Sequence, residues 1–319
     1  MAAHLTLDID GPVHVVDHGG EGPPMLLVHG LGGSLLDWTD VAPGFSRDHH
    51  VWAVDLIGFG RTPAAGREAT IANNQSLVDR VAEHVGEGGP VVLVGNSMGG
   101  LISIVEASRR PGRVSALVLV DPALPRAGGG RASYMVTGAF MLLAMPVIGR
   151  RVMRFRTQRL GAERIVDEAL RLCTVDSSRI APATREAQVR QTEWRHQQDD
   201  PYGPFLEASR SLVGWLRRDG PLERYIERVR VPTLLVHGDH DVVVHPKAAR
   251  AIARKRPDWA FHVFEDTGHV PQLERPEQFL DVVGSWLREV RSAGAGGGAA
   301  GRNPAAAGAV PDRLQPATE

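Results

Sequence analysis

The sequence predicts an α/β fold: a mostly parallel central sheet covered by helices on both faces, interrupted by one inserted helical block. Three observations carry that expectation. Short, almost wholly apolar runs recur up to about residue 120 and again after about residue 230, and continuous apolar strands belong to parallel sheets buried on both faces. Between the early runs lie stretches whose apolar residues fall three and four apart, the helical spacing. The alternation then stops for residues 123–220, where helix formers and spaced arginines replace it.

The elements follow in order. "VHVVDHG" (13–19) reads as a half-exposed strand, and "PMLLVHG" (24–30) and "HVWAVDL" (50–56) as buried ones. The helical pattern "NNQSLVDRVAEHVGE" (73–87) precedes the buried strand "VVLVGN" (91–96). "MGGLISIVEASRRP" (98–111) is again helical, and "VSALVLVDP" (114–122) closes the first half of the sheet. Sheet language resumes at "VPTLLVHGDHDVVV" (231–244) and "WAFHVFEDTGH" (259–269), followed by a last helix, "RPEQFLDVVGSWLREV" (275–290). The expected organisation is therefore a core of residues 1–122 and 221–290, a helical cap over the sheet's edge at 123–220, and a tail at 291–319. That tail is dominated by Ala, Gly and Pro and has almost no large apolar side chains to bury, so it is expected to be disordered.

Composition narrows the function. The chain has 319 residues, 43% hydrophobic and 23% charged, with a formal net charge of −1. Nothing in that balance calls for nucleic acid as a partner. The single cysteine, Cys173, excludes an intramolecular disulfide and fits a reducing, cytoplasmic setting. The N-terminus lacks the basic and apolar regions of a secretory signal. The most apolar segment, "VTGAFMLLAMPVIG" (136–149), contains Pro146 and falls short of the roughly 20 residues that span a bilayer, so no stable membrane insertion is expected. The sequence fixes no oligomeric state.

The chemistry gathers at strand ends. In "VVLVGNSMGG", Gly95 and Gly99 stand two residues either side of Ser97, between a buried strand and a helix. G-x-S-x-G in that setting is a nucleophile elbow, with the serine on a strained turn; the plainer reading is a glycine-rich turn with a serine N-cap. A serine hydroxyl needs a base and the base an orienting carboxylate, here expected in the chain order Ser, Asp or Glu, His. His269 follows a Thr-Gly loop after a late strand, and Asp241 lies just past the strand before it. Asp239 and Asp121 are rivals for the acid; Asp241 is favoured by its place on the loop after the strand preceding that of His269. The cluster His237, Asp239, His240 and Asp241 lacks a recognisable ligand motif, so no metal is expected. The oxyanion donors are expected to be the backbone N–H of Met98 and, from the loop in "LLVHGLGGS" (26–34), that of Leu31. Leu35 occupies the third glycine position of a dinucleotide fingerprint, so that reading fails and no cofactor is expected.

"HGLGGS", "DLIGFGRT", "GNSMGG", "HGDHD" and "TGHVPQLERPE" stand in the order and at the spacing of the α/β-hydrolase superfamily, in its capped, serine-nucleophile branch. The chain resembles that family over about residues 11–122 and 221–290. The resemblance implies the α/β-hydrolase fold, Ser97 as nucleophile, His269 as base, Asp241 as its partner, and Leu31 and Met98 as oxyanion amides. Dehalogenases and epoxide hydrolases of the family carry aspartate at the elbow, so Ser97 argues against both. "GNSMGG" is similar to the elbow of meta-cleavage-product hydrolases, which break C–C bonds. Leu31-Gly32-Gly33 and Val270 depart from that group's pattern, so hydrolysis of a carboxylic ester is expected ahead of C–C cleavage. A cofactor-free perhydrolase and a ligand-binding receptor on the same fold are the alternatives. In the cap, Phe140, Met141 and Met145 belong to an apolar stretch that is expected either to line the pocket, implying a small to medium apolar substrate, or to form ordinary cap core. Arg150, Arg151 and Arg154 read as a solvated helix face.

Overall fold

Aliphatic and β-branched runs become strands wherever the sequence holds them without interruption. A computed structural model of the chain describes residues 2–125, 138, 141–142, 145–217 and 221–296. Its strands are β1 (Ala3–Asp8), β2 (Pro12–Gly19), β3 (Pro24–Val28), β4 (His50–Val54), β5 (Val91–Asn96), β6 (Val114–Val120), β7 (Thr233–Gly238) and β8 (Ala260–Phe264). They form one sheet in the order β1-β2-β4-β3-β5-β6-β7-β8. β3 to β8 pair in parallel, while β1 and β2 are antiparallel to each other and β2 is antiparallel to β4. β1 was not anticipated, although "AHLTLD" alternates Ala3, Leu5 and Leu7 with polar residues; only Leu7 packs on the core, and the backbone ladder to β2 holds the strand.

The period of two along each strand sorts the core. Leu26 and Val28 of β3 and Leu93 of β5 face one layer, while Met25, Leu27, Val92 and Val94 face the other. The first layer is filled by α1 (Ile71–Val85), through Leu77, Val78 and Val81, and by α2 (Met98–Arg109), through Leu101, Ile102 and Val105. Thr70 caps α1 by accepting a hydrogen bond from the Asn73 amide.

Between β6 and β7 the described residues are helical: α3 (Pro146–Cys173), α4 (Pro182–His196), α5 (Gly203–Leu216) and α6 (Leu222–Arg228). α3 is two helical halves, because Gly161 has φ 69° and ψ 169° and breaks the ladder. The second half sends Val166 and Leu170 into a small cluster with Ile180, Val270 and Leu273. After β7 come α7 (Pro246–Lys255) and α8 (Pro276–Gly296); Phe279, Val283, Trp286 and Leu287 of α8 close the second layer of the core. α8 continues past Val290 to Gly296, into the segment assigned from sequence to a disordered tail. Arg291, Ser292 and Ala293 suit a helix, and Ser292 Oγ donates to the Arg288 carbonyl at 2.9 Å. Residues 297–319 lie outside the described residues. Among the described residues no helix is long and apolar enough to cross a membrane.

Phe279 is fully buried with Phe45 edge-on at 6.1 Å and Phe264 at 6.2 Å. Phe279→Ala is expected to cost about 3–5 kcal/mol, read as a lower urea midpoint at unchanged slope.

Candidate active site

The site begins with a steric constraint. A Cβ on Gly95 would lie 2.5 Å from the Gly99 carbonyl oxygen and from Ser103 Oγ, and one on Gly99 would lie 2.4 Å from the Val28 carbonyl oxygen. Strand β5 and helix α2 therefore pass each other only because both positions are glycine. The turn between them is Ser97, held at φ 54° and ψ −116°, a conformation L residues rarely adopt. Three backbone bonds pin it there. Ser97 N donates to the Val120 carbonyl at 2.9 Å, and the Ser97 carbonyl accepts from Leu101 N and Ala123 N. Met98 opens α2, so its N–H has no partner from a preceding helical turn.

His269 and Asp241 meet at the ends of the neighbouring strands. His269 Nδ1 donates to Asp241 Oδ2 at 2.7 Å, with both side chains buried. Asp241 Oδ1 accepts from the amides of Val243 (2.7 Å) and Val244 (2.9 Å). Burial alone would raise Asp241, but the charge and hydrogen bond of His269, with His237 and the Val244 amide, outweigh it and hold the carboxyl below its ordinary range. Asp121 is the opposite case. Burial, then the charge of Asp241, push it well above the usual carboxylate range. Its Oδ1 accepts from Gly238 N at 2.9 Å rather than from His269. Of the three candidate acids, then, Asp241 meets the histidine. Asp239 instead accepts from Thr267 N and pairs with the exposed His240.

Asp121, His237 and Asp241 bring three potential metal-ligand atoms within 4.8 Å of one another. His237 Nε2 donates to the Val244 carbonyl at 2.8 Å, Asp121 Oδ1 accepts from Gly238 N and Asp241 Oδ2 from His269, while Asp121 Oδ2 and His237 Nδ1 have no hydrogen-bond partner among the described residues. Burial depresses the pKa of His237, while the two acids beside it shift in opposite directions.

The loop after β3 packs against the serine: a Cβ on Gly30 would lie 3.0 Å from that of Ser97. Buried His29 fixes the loop's root, donating from Nδ1 to the Gly30 carbonyl at 2.7 Å and accepting Leu56 N on Nε2 at 3.0 Å. Gly33 N closes a tight turn onto Gly30 O at 3.2 Å, which leaves Leu31 at its bend. Helix α4 braces this loop from above. Arg195 Nη1 donates to the Gly32 carbonyl at 3.3 Å, and Gln188 Nε2 donates to Asp37 Oδ1 at 3.1 Å.

Ser97, Met98, Leu31, Asp241 and His269 thus share one end of the parallel strands. Met141 and Met145 are 53% and 48% exposed and so are not ordinary cap core. Phe140 lies outside the described residues. Four contributors were missed from sequence. Asn96 Nδ2 bridges the Val120 and His269 carbonyls, at 3.1 Å each, and so ties the residue before the serine to the histidine loop. Buried Glu274 accepts from Gly268 N at 2.7 Å and from Val175 and Asp176 amides at 2.9 Å. Its position in "TGHVPQLERPE" was the available signal. Asp37 and Arg195 gave none.

Burial pushes the Asp37 carboxyl from 3.8 up to about 7, against the pull of Gln188 and Arg195. Such an acid holds its proton more tightly folded than unfolded, so stability that is complete below about pH 4 is lost as pH rises through about 7. Asp37→Asn, which keeps the acceptor for Gln188, is expected to stabilise the protein by up to about 4 kcal/mol at pH 8 and to have little effect near pH 4. Paired urea melts at the two pH values check this.

The chain matches the family model described as "alpha/beta hydrolase fold" over residues 23–276. It is 27% identical over 274 residues to 2-hydroxy-6-oxo-6-(2'-aminophenyl)hexa-2,4-dienoic acid hydrolase of Metapseudomonas resinovorans, covering 84% of this chain and 85% of that one. It is 26% identical over 272 residues to pimeloyl-(acyl-carrier protein) methyl ester esterase of Aeromonas hydrophila subsp. hydrophila, covering 84% and 96%. The solved structure of a thermophilic esterase from Thermogutta terrifontis is similar in fold, with a TM-score of 0.67 and 24% identity over 91% of this chain and 99% of that one. The family match spans most of the chain, and the sheet order and strand-end site agree with it: the protein belongs to the α/β-hydrolase fold family.

Proposed function

We propose that the protein is a serine hydrolase that cleaves a small to medium apolar carboxylic ester through an acyl-enzyme. One observation carries this reading. A serine on a strained strand-to-helix turn is tied, through the Asn96 side chain, to a histidine whose Nδ1–H is already committed to a buried carboxylate. That commitment leaves Nε2 as the base. Ser97 Oγ attacks the ester carbonyl carbon as its proton passes to His269 Nε2. The oxyanion that forms is received by the amides of Leu31 and Met98. Collapse expels the alcohol, which takes the proton from His269. Water, deprotonated by the same nitrogen, then releases the acid and restores the serine.

A second reading has an observation of its own. The relative from M. resinovorans is named as a hydrolase of a dienoic acid, and an acid substrate calls for a cation near the oxyanion loop. Arg195 supplies one: its guanidinium touches that loop at Gly32, and its Nε has no hydrogen-bond partner among the described residues. On this reading the same nucleophile and base would cleave a C–C bond.

The test is fluorophosphonate labelling read by intact mass, beside turnover of p-nitrophenyl esters of increasing chain length. Wild type is expected to label and turn over, and Ser97→Ala and His269→Ala to lose both, with rates down by about 10⁴–10⁶. Labelling without ester turnover, together with cleavage of a ring-fission dienoic acid, would favour the C–C reading. A folded wild type that neither labels nor turns over would sink both and leave a receptor.

The two acids are expected to separate cleanly. Asp241→Asn should lower kcat by about 10³–10⁴ by disturbing the histidine's tautomer. Asp121→Asn should leave it within about threefold, because a neutral carboxyl and an amide present the same acceptor to Gly238 N. Comparable losses in both variants would overturn the assignment of the proton to Asp121.

A further inference from the structure

From Pro122 to Ala162 the chain has seven arginines and no Asp, Glu or Lys, although its net charge overall is −1. The same stretch holds six of the ten large apolar side chains left exposed among the described residues: Met141, Leu142, Met145, Val147, Ile148 and Phe155. In the first half of α3 the two features coincide. Val147, Arg151, Arg154, Phe155 and Gln158 are all exposed, at intervals of four, three, one and three residues, so they share one helix face. Val147 is 64% exposed and Phe155 59%.

The charges on this face are available. Arg150 is bound by Asp200 and Arg156 by Glu168, but Arg151 and Arg154 have no acidic partner among the described residues. Arg159 lies with its guanidinium 5.2 Å from the Phe155 ring centre, covering one side of an exposed aromatic. Water is a poor environment for such a surface. At a bilayer the aliphatic and aromatic side chains enter the acyl boundary, while the guanidinium groups on their long stems reach the phosphates. Apolar burial or basic charge alone gives weak, reversible attachment, and the two together hold. The charge selects the partner: with no acidic residue in the stretch, a surface of net negative charge is attracted and a zwitterionic one is not.

We propose that this face docks on an anionic phospholipid bilayer, peripherally and without crossing it. The attachment does not depend on Ser97 chemistry and is measured without turnover. The full-length chain is floated with large unilamellar vesicles of phosphatidylcholine, alone or with about 30 mol% phosphatidylglycerol, at about 0.1 M and about 0.5 M NaCl. Partitioning to the anionic vesicles is expected to exceed that to neutral ones by about tenfold or more at low salt, and to fall at high salt. The doubles Arg151→Glu/Arg154→Glu and Val147→Ser/Phe155→Ser should each lose about tenfold or more of that binding. Because these side chains are exposed, both doubles should keep the wild-type melting temperature and turnover of a water-soluble ester. Equal binding to the two vesicle types would overturn the proposal, as would binding that neither double weakens. So would lipid-free self-association abolished by both doubles, which would make a second copy of the chain the occupant.

Discussion

The functional end of the molecule depends on how closely β5 and α2 approach. With no side chain at Gly95 or Gly99, the helix begins against the backbone of the strand it has just left and of β3 beside it. The residue between them has one conformation available, and that residue is Ser97. The loop at Gly30 lies against the same serine. Strain in one residue is tolerated because bonds to Val120, Leu101 and Ala123 over-determine it. A wider crossing would relax the turn and dissolve the arrangement.

Charge around the histidine follows from sheet geometry in the same way. β6 and β7 are neighbours and parallel, so each delivers an acid, Asp121 and Asp241, to the same buried edge. Two ionised carboxylates do not coexist there. The one that His269 contacts is held below the ordinary carboxylate range, and the one facing the Gly238 amide is pushed well above it. His237 lies between them without ionising. The Asp241 carboxyl is thus the one aimed at the imidazole, where its hydrogen bond to Nδ1 orients the ring.

Much of this was legible in sequence, for physical reasons. Parallel strands buried on both faces are written as uninterrupted apolar runs, so β3 to β8 could be found; β1 carries only a short alternation, Ala3, Leu5 and Leu7, and was passed over. The elbow was readable because close packing demands glycine at fixed offsets. Among Asp121, Asp239 and Asp241, sequence order favoured Asp241, and it is the acid that His269 contacts, while Asp121 and Asp239 face the Gly238 and Thr267 amides. The partners of contacts between distant segments left no local trace: nothing near Glu274 names the Val175 and Asp176 amides about a hundred residues away, and nothing near Gln188 names Asp37, 151 residues away. The methionines 141 and 145 mark a different gap: apolar character predicts burial against something, and the fold turned them outward.

The break at Gly161 divides α3 into parts with different relations to the catalytic end. Beyond it, the helix reaches Cys173, whose carbonyl accepts the His269 amide at 2.6 Å, and Glu274 fastens the segment that follows. Exchanging that half for a relative's would shift the histidine with it. Upstream of Gly161, the bonds of Arg150 and Arg156 lead only to other residues of the insertion. A chimaera joined at this glycine would therefore inherit a foreign outer surface while keeping its own contacts to the His269 loop.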